Sequence, residues 1–209
     1  MKKIIIYLGP SLPLNKAEEI LKADYRPPVK RNDVLKSIDE SPDIIGIIDG
    51  VFHQSPAVSH KEILKAIEKG ITVVGGSSMG ALRASELDSL GMKGIGYVYK
   101  QYAEGEIESD DDVSLTFTSD DYTPVSEALI NVEYNLNTAE KQNIINSEDK
   151  KEILKASKSI YYPLRTYPKI LSKSKISDET KDKFKEFLKI AIDIKQQDAI
   201  DLLKYIKEL

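Results

Sequence analysis

The stretch ITVVGGSSMGALRAS, residues 71–85, decides how this chain is expected to fold. Its first four residues are β-branched and favour a strand. Two glycines and two serines follow, and the remaining residues include the good helix formers Met, Ala, Leu and Arg. Because glycine permits a sharp turn, the stretch predicts a strand that passes directly into a helix. This is a characteristic unit of an α/β fold.

Two similar apolar runs lie upstream of this stretch. Residues 3–8 (KIIIYL) and 43–49 (DIIGIID) are predicted as buried strands, and residues 71–75 form the third. Helices are predicted between them at residues 14–21, 32–40 and 59–69, whereas the prolines in 24–31 (DYRPPVKR) favour an extended segment. The alternation of strands and helices predicts a βαβαβα core, with a small parallel sheet flanked by helices.

Glycine is distributed unevenly along the chain. All 11 glycines lie at or before Gly105, so that the turn-rich part ends there. We therefore expect an α/β domain over residues 1–122, with an edge strand at 113–117, and a helical region over 123–209 that packs on it. Helices are predicted at about 125–145, 148–157, 164–172, 178–194 and 196–207.

Composition removes several classes of function. The 209 residues include no cysteine and two histidines, which argues against disulfides, thiolate nucleophiles, persulfide carriage and histidine-rich metal sites. A net charge of −4 is unlike that of a general nucleic-acid binder. There is no apolar run of about 20 residues and no secretory signal. We expect a cytoplasmic protein without a metal, cofactor, nucleic-acid partner or membrane segment.

The turn itself carries the strongest chemical signal. GSSMG at residues 76–80 matches G-x-S-x-G between a strand and a helix, which predicts a nucleophile elbow with Ser78 as the nucleophile. The amides of Met79 and Gly80 are then candidates for an oxyanion hole. Two other interpretations remain open: a glycine-rich turn with a serine N-cap, and a phosphate cradle at the helix N-terminus.

A nucleophilic serine needs a base, and both histidines, His53 and His60, precede the elbow. Lys61 is the other candidate, since it lies in the first turn of a predicted helix. A lysine accepts a proton only when neutral, and a helix N-terminus favours that form. The alternative is an ordinary solvated lysine.

Asp49 and Arg83 are supporting candidates. Asp49 follows the second strand and is suited to orient a histidine or to pair with Arg83. Alternatively, Asp49 closes a turn and Arg83 pairs with Glu86 three residues later.

Two segments beside the predicted site are candidates for partner binding. One contains Tyr25, Arg26, Lys30 and Arg31 around a proline pair. The other is the acidic run 104–112, which ends in Asp110, Asp111 and Asp112 and lacks the spacing of an EF-hand. An ordinary solvated loop is the alternative for the acidic run.

Several ordered motifs resemble the TfuA family. They are ADYRPPV at 23–29, IIDGVFHQ at 47–54, HKEIL at 60–64 and SSMGALRA at 77–84, and the resemblance covers roughly residues 1–120. It implies a partner of YcaO proteins, which use ATP to activate a peptide amide for thioamidation. TfuA-like proteins are thought to hydrolyse the C-terminal thiocarboxylate of a ThiS-like, ubiquitin-fold sulfur carrier, which releases sulfide. They are also thought to help the YcaO protein bind its substrate.

The family is associated with a Ser–Lys catalytic pair and with an unusual fold, so the resemblance implies an unusual topology for the βαβαβα core. Carried over to this chain, the resemblance implies Ser78 as the nucleophile and Lys61 as the base, with the elbow register favouring Ser78 over Ser77. Methyl-coenzyme M reductase is the best-known archaeal substrate of such systems, and nothing in this chain fixes the substrate. Two other functions remain open: a non-catalytic adaptor of the YcaO protein, and a nucleotide- or phosphate-binding protein.

Overall fold

The computed structural model describes residues 2–51 and 55–209, and its first compact unit contains a five-stranded parallel sheet. The strand order is β2-β1-β3-β4-β5. The strands are β1 (Ile4–Tyr7), β2 (Asp24–Arg26), β3 (Ile44–Ile47), β4 (Thr72–Gly76) and β5 (Lys93–Ile95). The expected α/β class with a parallel sheet flanked by helices is confirmed.

Ten helices accompany the sheet in the part of the chain that the structure describes. They are α1 (Leu14–Ile20), α2 (Asp33–Asp39), α3 (His60–Glu68), α4 (Met79–Leu87), α5 (Tyr97–Ala103), α6 (Leu129–Lys141), α7 (Ser147–Lys158), α8 (Tyr167–Lys173), α9 (Asp178–Leu188) and α10 (Ile194–Glu208).

Both faces of the sheet are buried, because successive strand residues point to opposite sides. In β1, Ile5 packs into a core that contains residues of α2, α3 and α4. Its neighbour Ile6 packs into a second core, with Ala17 of α1 and Leu202 of α10. Helices on both faces explain why the central strands are continuous apolar runs.

Two strands, β2 and β5, join the three predicted strands of the sheet, and the predicted strand at 113–117 is a loop. The extended segment with the proline pair contains β2, an edge strand, and β5 was not predicted at all. Lys93 and Gly94 favour strands poorly, so β5 forms because it pairs with β4. The predicted edge strand at 113–117 is wrong, since only an isolated bridge joins Phe117 to Pro124.

The chain divides into two compact units. The first comprises Met1–Asp110 with Lys195–Leu209, and the second comprises Asp111–Ile194. The second unit has its own core between its helices, which includes Leu136, Ile153 and Phe184. The domain boundary that the sequence predicts after residue 122 stays a prediction. Most of helix α10 belongs to the first unit and packs on its sheet through Leu202. The distribution of glycines did not predict this, because it groups α10 with the other C-terminal helices.

Candidate functional site

The turn between β4 and α4 is tight and strained. Ser77 has φ 67°, a left-handed value that is uncommon for a residue with a side chain. The Ser78 amide donates a 2.8 Å hydrogen bond to the Gly76 carbonyl, which closes a three-residue turn around Ser77. Such conformations persist only where the surroundings hold them, and they concentrate at functional sites.

Glycines allow α4 to lie directly on the sheet. A Cβ atom at Gly80 would lie 1.7 Å from the Ile47 carbonyl oxygen, and one at Gly75 would lie 2.2 Å from the Gly80 oxygen. Two backbones therefore touch where any side chain would separate them. This contact sets the N-terminus of α4 against the carboxyl end of β3, beside Asp49.

The two adjacent serines have different environments. Ser77 is fully buried, and its hydroxyl donates a 2.8 Å hydrogen bond to the backbone carbonyl of Lys195. Ser78 is 3% exposed and occupies the N-cap position of α4, yet its side chain makes no capping hydrogen bond. Among the described residues, the Ser78 hydroxyl has no hydrogen-bond partner at all. The N-cap interpretation of Ser78 therefore has no hydrogen bond to support it.

The amides expected to form an oxyanion hole are only partly available. The Gly80 amide donates to the Ile48 carbonyl at 3.3 Å, so the close contact with β3 occupies it. Met79 is the first residue of α4, and its amide has no acceptor within the helix. The positive end of α4 and the Met79 amide thus lie next to the Ser78 hydroxyl.

Asp49 is buried at the adjacent carboxyl end of β3 and does not pair with Arg83. Its carboxylate accepts hydrogen bonds from the Gly9 amide at 2.9 Å, the Ser11 amide at 3.1 Å and the Ser11 hydroxyl at 2.7 Å. Burial raises the pKa of Asp49, and the positive charge of Lys195 and the Ser11 hydrogen bonds oppose that rise. Asp49 therefore joins the loop after β1 to the loop after β3.

Sequence analysis missed two charged residues of α10: Lys195, whose backbone carbonyl contacts the elbow at Ser77, and Asp198, which contacts the start of α5. Lys195 and Asp198 are 2% and 1% exposed. The Asp198 carboxylate accepts hydrogen bonds from the Tyr97 and Val98 amides at 2.8 and 2.7 Å, and burial raises its pKa to about 6. A signal was present, because Lys195 precedes the apolar residues Ala199 and Leu202 at helical spacing and so lies on the buried face of α10.

Neither Lys61 nor His60, the predicted base candidates that the structure describes, makes a hydrogen bond to Ser78. Lys61 is exposed in the first turn of α3 and makes no hydrogen bond or ion pair within the described residues. The His60 Nε2 lies 2.8 Å from Glu86 Oε2, which also accepts from Arg83 Nη1 at 2.5 Å. His60 and Arg83 thus meet at one carboxylate that links α3 to α4. His53 lies outside the described residues.

The predicted partner-binding residues separate into internal and exposed groups. Tyr25 donates its hydroxyl to the Ala17 and Leu21 carbonyls, and Arg26 pairs with Asp24 and Glu40, so both serve the packing of β2. Lys30 and Arg31 are exposed.

The acidic run is similarly divided. Asp110 is exposed in the first unit, whereas Asp111 and Asp112 belong to the second. Asp111 accepts a 2.9 Å hydrogen bond from the buried guanidinium of Arg165. At least one carboxylate of the run therefore has a structural contact.

The part of the chain that the structure describes has neither a candidate metal site nor a candidate membrane span. That part of the chain contains no group of three or more histidine, aspartate or glutamate side chains able to hold a metal ion. None of its helices is both long and apolar enough to cross a membrane.

Comparison with known proteins identifies the family. The sequence model of one family, described as TfuA-like protein, matches residues 49–166, which is more than half of the chain. The match includes Asp49, Lys61 and the elbow, and it extends into the second unit beyond the resemblance at residues 1–120. No curated protein matches the chain. The chain therefore belongs to the family of TfuA-like proteins.

Proposed function

We propose that this protein is a hydrolase that releases sulfide from the C-terminal thiocarboxylate of a ThiS-like, ubiquitin-fold carrier. The sulfide would serve a YcaO protein that thioamidates a peptide backbone, and the chain would also enhance binding of the YcaO protein to its substrate. One observation carries the proposal: the Ser78 hydroxyl is unpaired at the N-terminus of α4, in a strained strand–turn–helix connection. Membership of the TfuA-like family supports it.

Acyl transfer to serine suits this geometry. Ser78 would attack the thiocarboxylate carbon, and hydrosulfide would leave. Negative charge developing on the carbonyl oxygen would be stabilised by the Met79 amide and the positive end of α4. The chain has no cysteine, so the released sulfur would not be held here as a persulfide.

The identity of the base is less well supported by contacts. Lys61 is the lysine that the family resemblance implies, and it lies within the family match. Its side chain is exposed and has no polar contact among the described residues that would hold it at Ser78. Lys61 therefore stays a prediction for the role of base.

A non-catalytic adaptor is the second candidate, and one observation favours it. Ser77 and Ser78 are only 0% and 3% exposed, which restricts access of a macromolecular acyl group. A phosphate cradle has less support, because the Gly80 amide already donates to Ile48 and is not available to an anion.

Substitution of Ser78 separates the hydrolase from the adaptor. Ser78→Ala removes one oxygen that makes no hydrogen bond, so we expect a change in stability below about 1 kcal/mol. Loss of a nucleophile lowers a catalysed rate by roughly several orders of magnitude. Sulfide release from a thiocarboxylated ThiS-like carrier is therefore expected to stop, while carrier and YcaO binding persist. Ser85→Ala is the matched control on the same helix.

The source of sulfur provides the decisive comparison. With a YcaO protein, ATP and a peptide substrate, Ser78→Ala should fail to support thioamidation from the carrier but should support it from excess free sulfide. An adaptor predicts that Ser78→Ala equals wild type with either source. That second result would overturn the hydrolase.

A further inference from the structure

Three large apolar side chains of the second unit are exposed around one backbone contact. Val125, Tyr161 and Leu164 are 51%, 65% and 55% exposed. The Leu164 amide donates to the Tyr161 carbonyl at 2.9 Å, so these two residues belong to one turn. The Glu127 amide donates to the Arg165 carbonyl at 2.7 Å, which brings the segment that contains Val125 beside that turn. A single exposed leucine is ordinary, whereas a group of exposed apolar residues marks an interaction surface, and we call this group the apolar patch.

Arg165 fixes the segments that carry the apolar patch. Its guanidinium, which is buried, donates to the Asp111 carboxylate at 2.9 Å and to the Ser157 carbonyl at 3.3 Å. Its own carbonyl holds Glu127, as described above. One residue thus joins three separate segments of the second unit. A surface held in place in this way loses little conformational entropy when a partner binds.

An acidic hairpin, residues 116–125, ends at the apolar patch. The Val125 amide donates to the Thr116 carbonyl at 2.8 Å, which closes the hairpin. Its tip exposes Asp120 and Asp121 to water. Negative charge therefore lies on the same short element as one of the three apolar side chains.

The charges around the patch are predominantly negative. Residues 104–140 contain 11 acidic residues and no lysine, arginine or histidine. The basic residues nearest to the turn along the chain are already in ion pairs, since Lys158 lies 3.0 Å from Glu133 and Arg165 lies 2.9 Å from Asp111. An apolar centre with an acidic border is complementary to a basic surface that carries apolar side chains.

We propose that the apolar patch and the acidic hairpin form a docking surface for the YcaO protein, through a face of that protein that carries lysine or arginine around apolar side chains. The inference rests on the proposed function, which requires both a carrier and a YcaO protein. The carrier's C-terminus must reach the elbow, which belongs to the first unit, whereas the docking surface belongs to the second. The YcaO protein is therefore the occupant that this surface fits.

The first test truncates the apolar patch in the full chain and measures its affinity for the YcaO protein of the same organism. Tyr161→Ala should weaken binding by about 10-fold or more, and Leu164→Ala by roughly 3- to 10-fold, as is typical of apolar anchors in an interface. Leu90→Ala is the matched control, because Leu90 is 54% exposed but lies in the first unit. It should bind as wild type does.

The second test reverses one charge of the acidic hairpin. Asp120 is exposed and makes only a local hydrogen bond with Ser119. Asp120→Lys should slow association with the YcaO protein by about 5-fold or more at about 50 mM salt, and the difference should vanish near about 500 mM because salt screens the attraction. Glu19→Lys makes the same change at an exposed position of the first unit and should have no effect.

Three results would overturn the proposal. The first is wild-type affinity of both Tyr161→Ala and Leu164→Ala for the YcaO protein, and the second is a wild-type chain that does not bind the YcaO protein. The third is YcaO binding that is unchanged while the same variants lose binding of the ThiS-like carrier, or lose self-association in light scattering. That last result would assign the surface to the carrier or to a second copy of this chain.

Sulfide release separates this inference from the proposed function. Release from a thiocarboxylated carrier by the chain alone should stay at the wild-type rate in the patch and hairpin variants, because none of them alters the elbow. If Ser78→Ala releases sulfide normally, the proposed hydrolase is overturned whatever the docking surface binds. Thermal unfolding identifies a variant that fails to fold, and Asp120→Lys, which removes no buried contact, then decides.

Discussion

The two ends of the sheet in the first unit differ in how far their charged and polar groups are exposed to water. At the amino end, a cavity of about 900 Å³ is lined by charged and polar residues that include Lys2, Asp39, Asp43, Lys65, Lys69 and Thr72. At the carboxyl end, the polar residues Ser11, Asp49, Ser77, Ser78 and Lys195 are nearly or fully buried. This cavity and the buried polar groups therefore lie at opposite ends of the sheet.

The polar groups at the two ends therefore have different surroundings. Lysines at the amino end, such as Lys65 and Lys69, are exposed to water, which stabilises their charge. At the carboxyl end, desolvation strengthens every electrostatic interaction and raises the pKa of Asp49. Groups perturbed in this way are characteristic of functional sites. Substitutions at the two ends should therefore differ strongly in effect.

The largest effect on stability is expected at Gly80. A Cβ atom there would lie 1.7 Å from the Ile47 carbonyl oxygen, so Gly80→Ala must push α4 away from β3. We expect the free energy of unfolding to fall by about 3 kcal/mol or more. Denaturant unfolding measures this, with Ser85→Ala as the control on the same helix. Wild-type stability of Gly80→Ala would contradict the close contact at this end of the sheet.

The pH dependence of stability should reveal the buried carboxylate of α10. Burial raises the pKa of Asp198 from 3.8 to about 6, so the folded state binds its proton more tightly than the unfolded state. Its contribution is fully present below pH 4 and is lost as the pH rises to about 6, a change of about 3 kcal/mol. Unfolding followed between pH 4 and 7 should show a larger decline in wild type than in Asp198→Asn, in which the raised pKa of Asp49 still contributes. A parallel decline in both proteins would assign it to other groups.

A smaller loss is expected for Ser77. Ser77→Ala removes the hydrogen bond to the Lys195 carbonyl and leaves that carbonyl without this donor. We expect a loss of about 1–2 kcal/mol, typical of a buried hydrogen bond. Sulfide release should fall less than in Ser78→Ala. If Ser77→Ala instead removes all activity while Ser78→Ala is active, the assignment of the nucleophile is reversed.

The smallest effect is expected at the amino end of the sheet. Lys65→Ala and Lys69→Ala, singly or together, should change the free energy of unfolding by less than about 0.5 kcal/mol, as is usual for exposed positions. Sulfide release should be unaffected. A loss of activity in these variants would show that the amino-end cavity, and not only the elbow, takes part in function.

Much of the fold could be predicted because its central strands are locally distinctive. The apolar runs that contain Ile5, Ile45 and Val73 have no other stable place than a doubly covered sheet. β5 could not be predicted in this way, since Lys93 and Gly94 have no strand preference and pair only because β4 is adjacent. Local sequence carries no information about such a neighbour.

The candidate site was likewise predictable only where its parts are close in sequence. The glycines and serines of residues 75–80 specify a sharp strand-to-helix turn by themselves, because their conformational preferences are local. They did not decide which serine keeps an unpaired hydroxyl. The tertiary structure did so, because packing of α10 on the sheet brings the Lys195 carbonyl to Ser77. The burial of Lys195 beside Asp49 has the same cause, since desolvation depends on the elements that surround a charge and not on its neighbours along the chain.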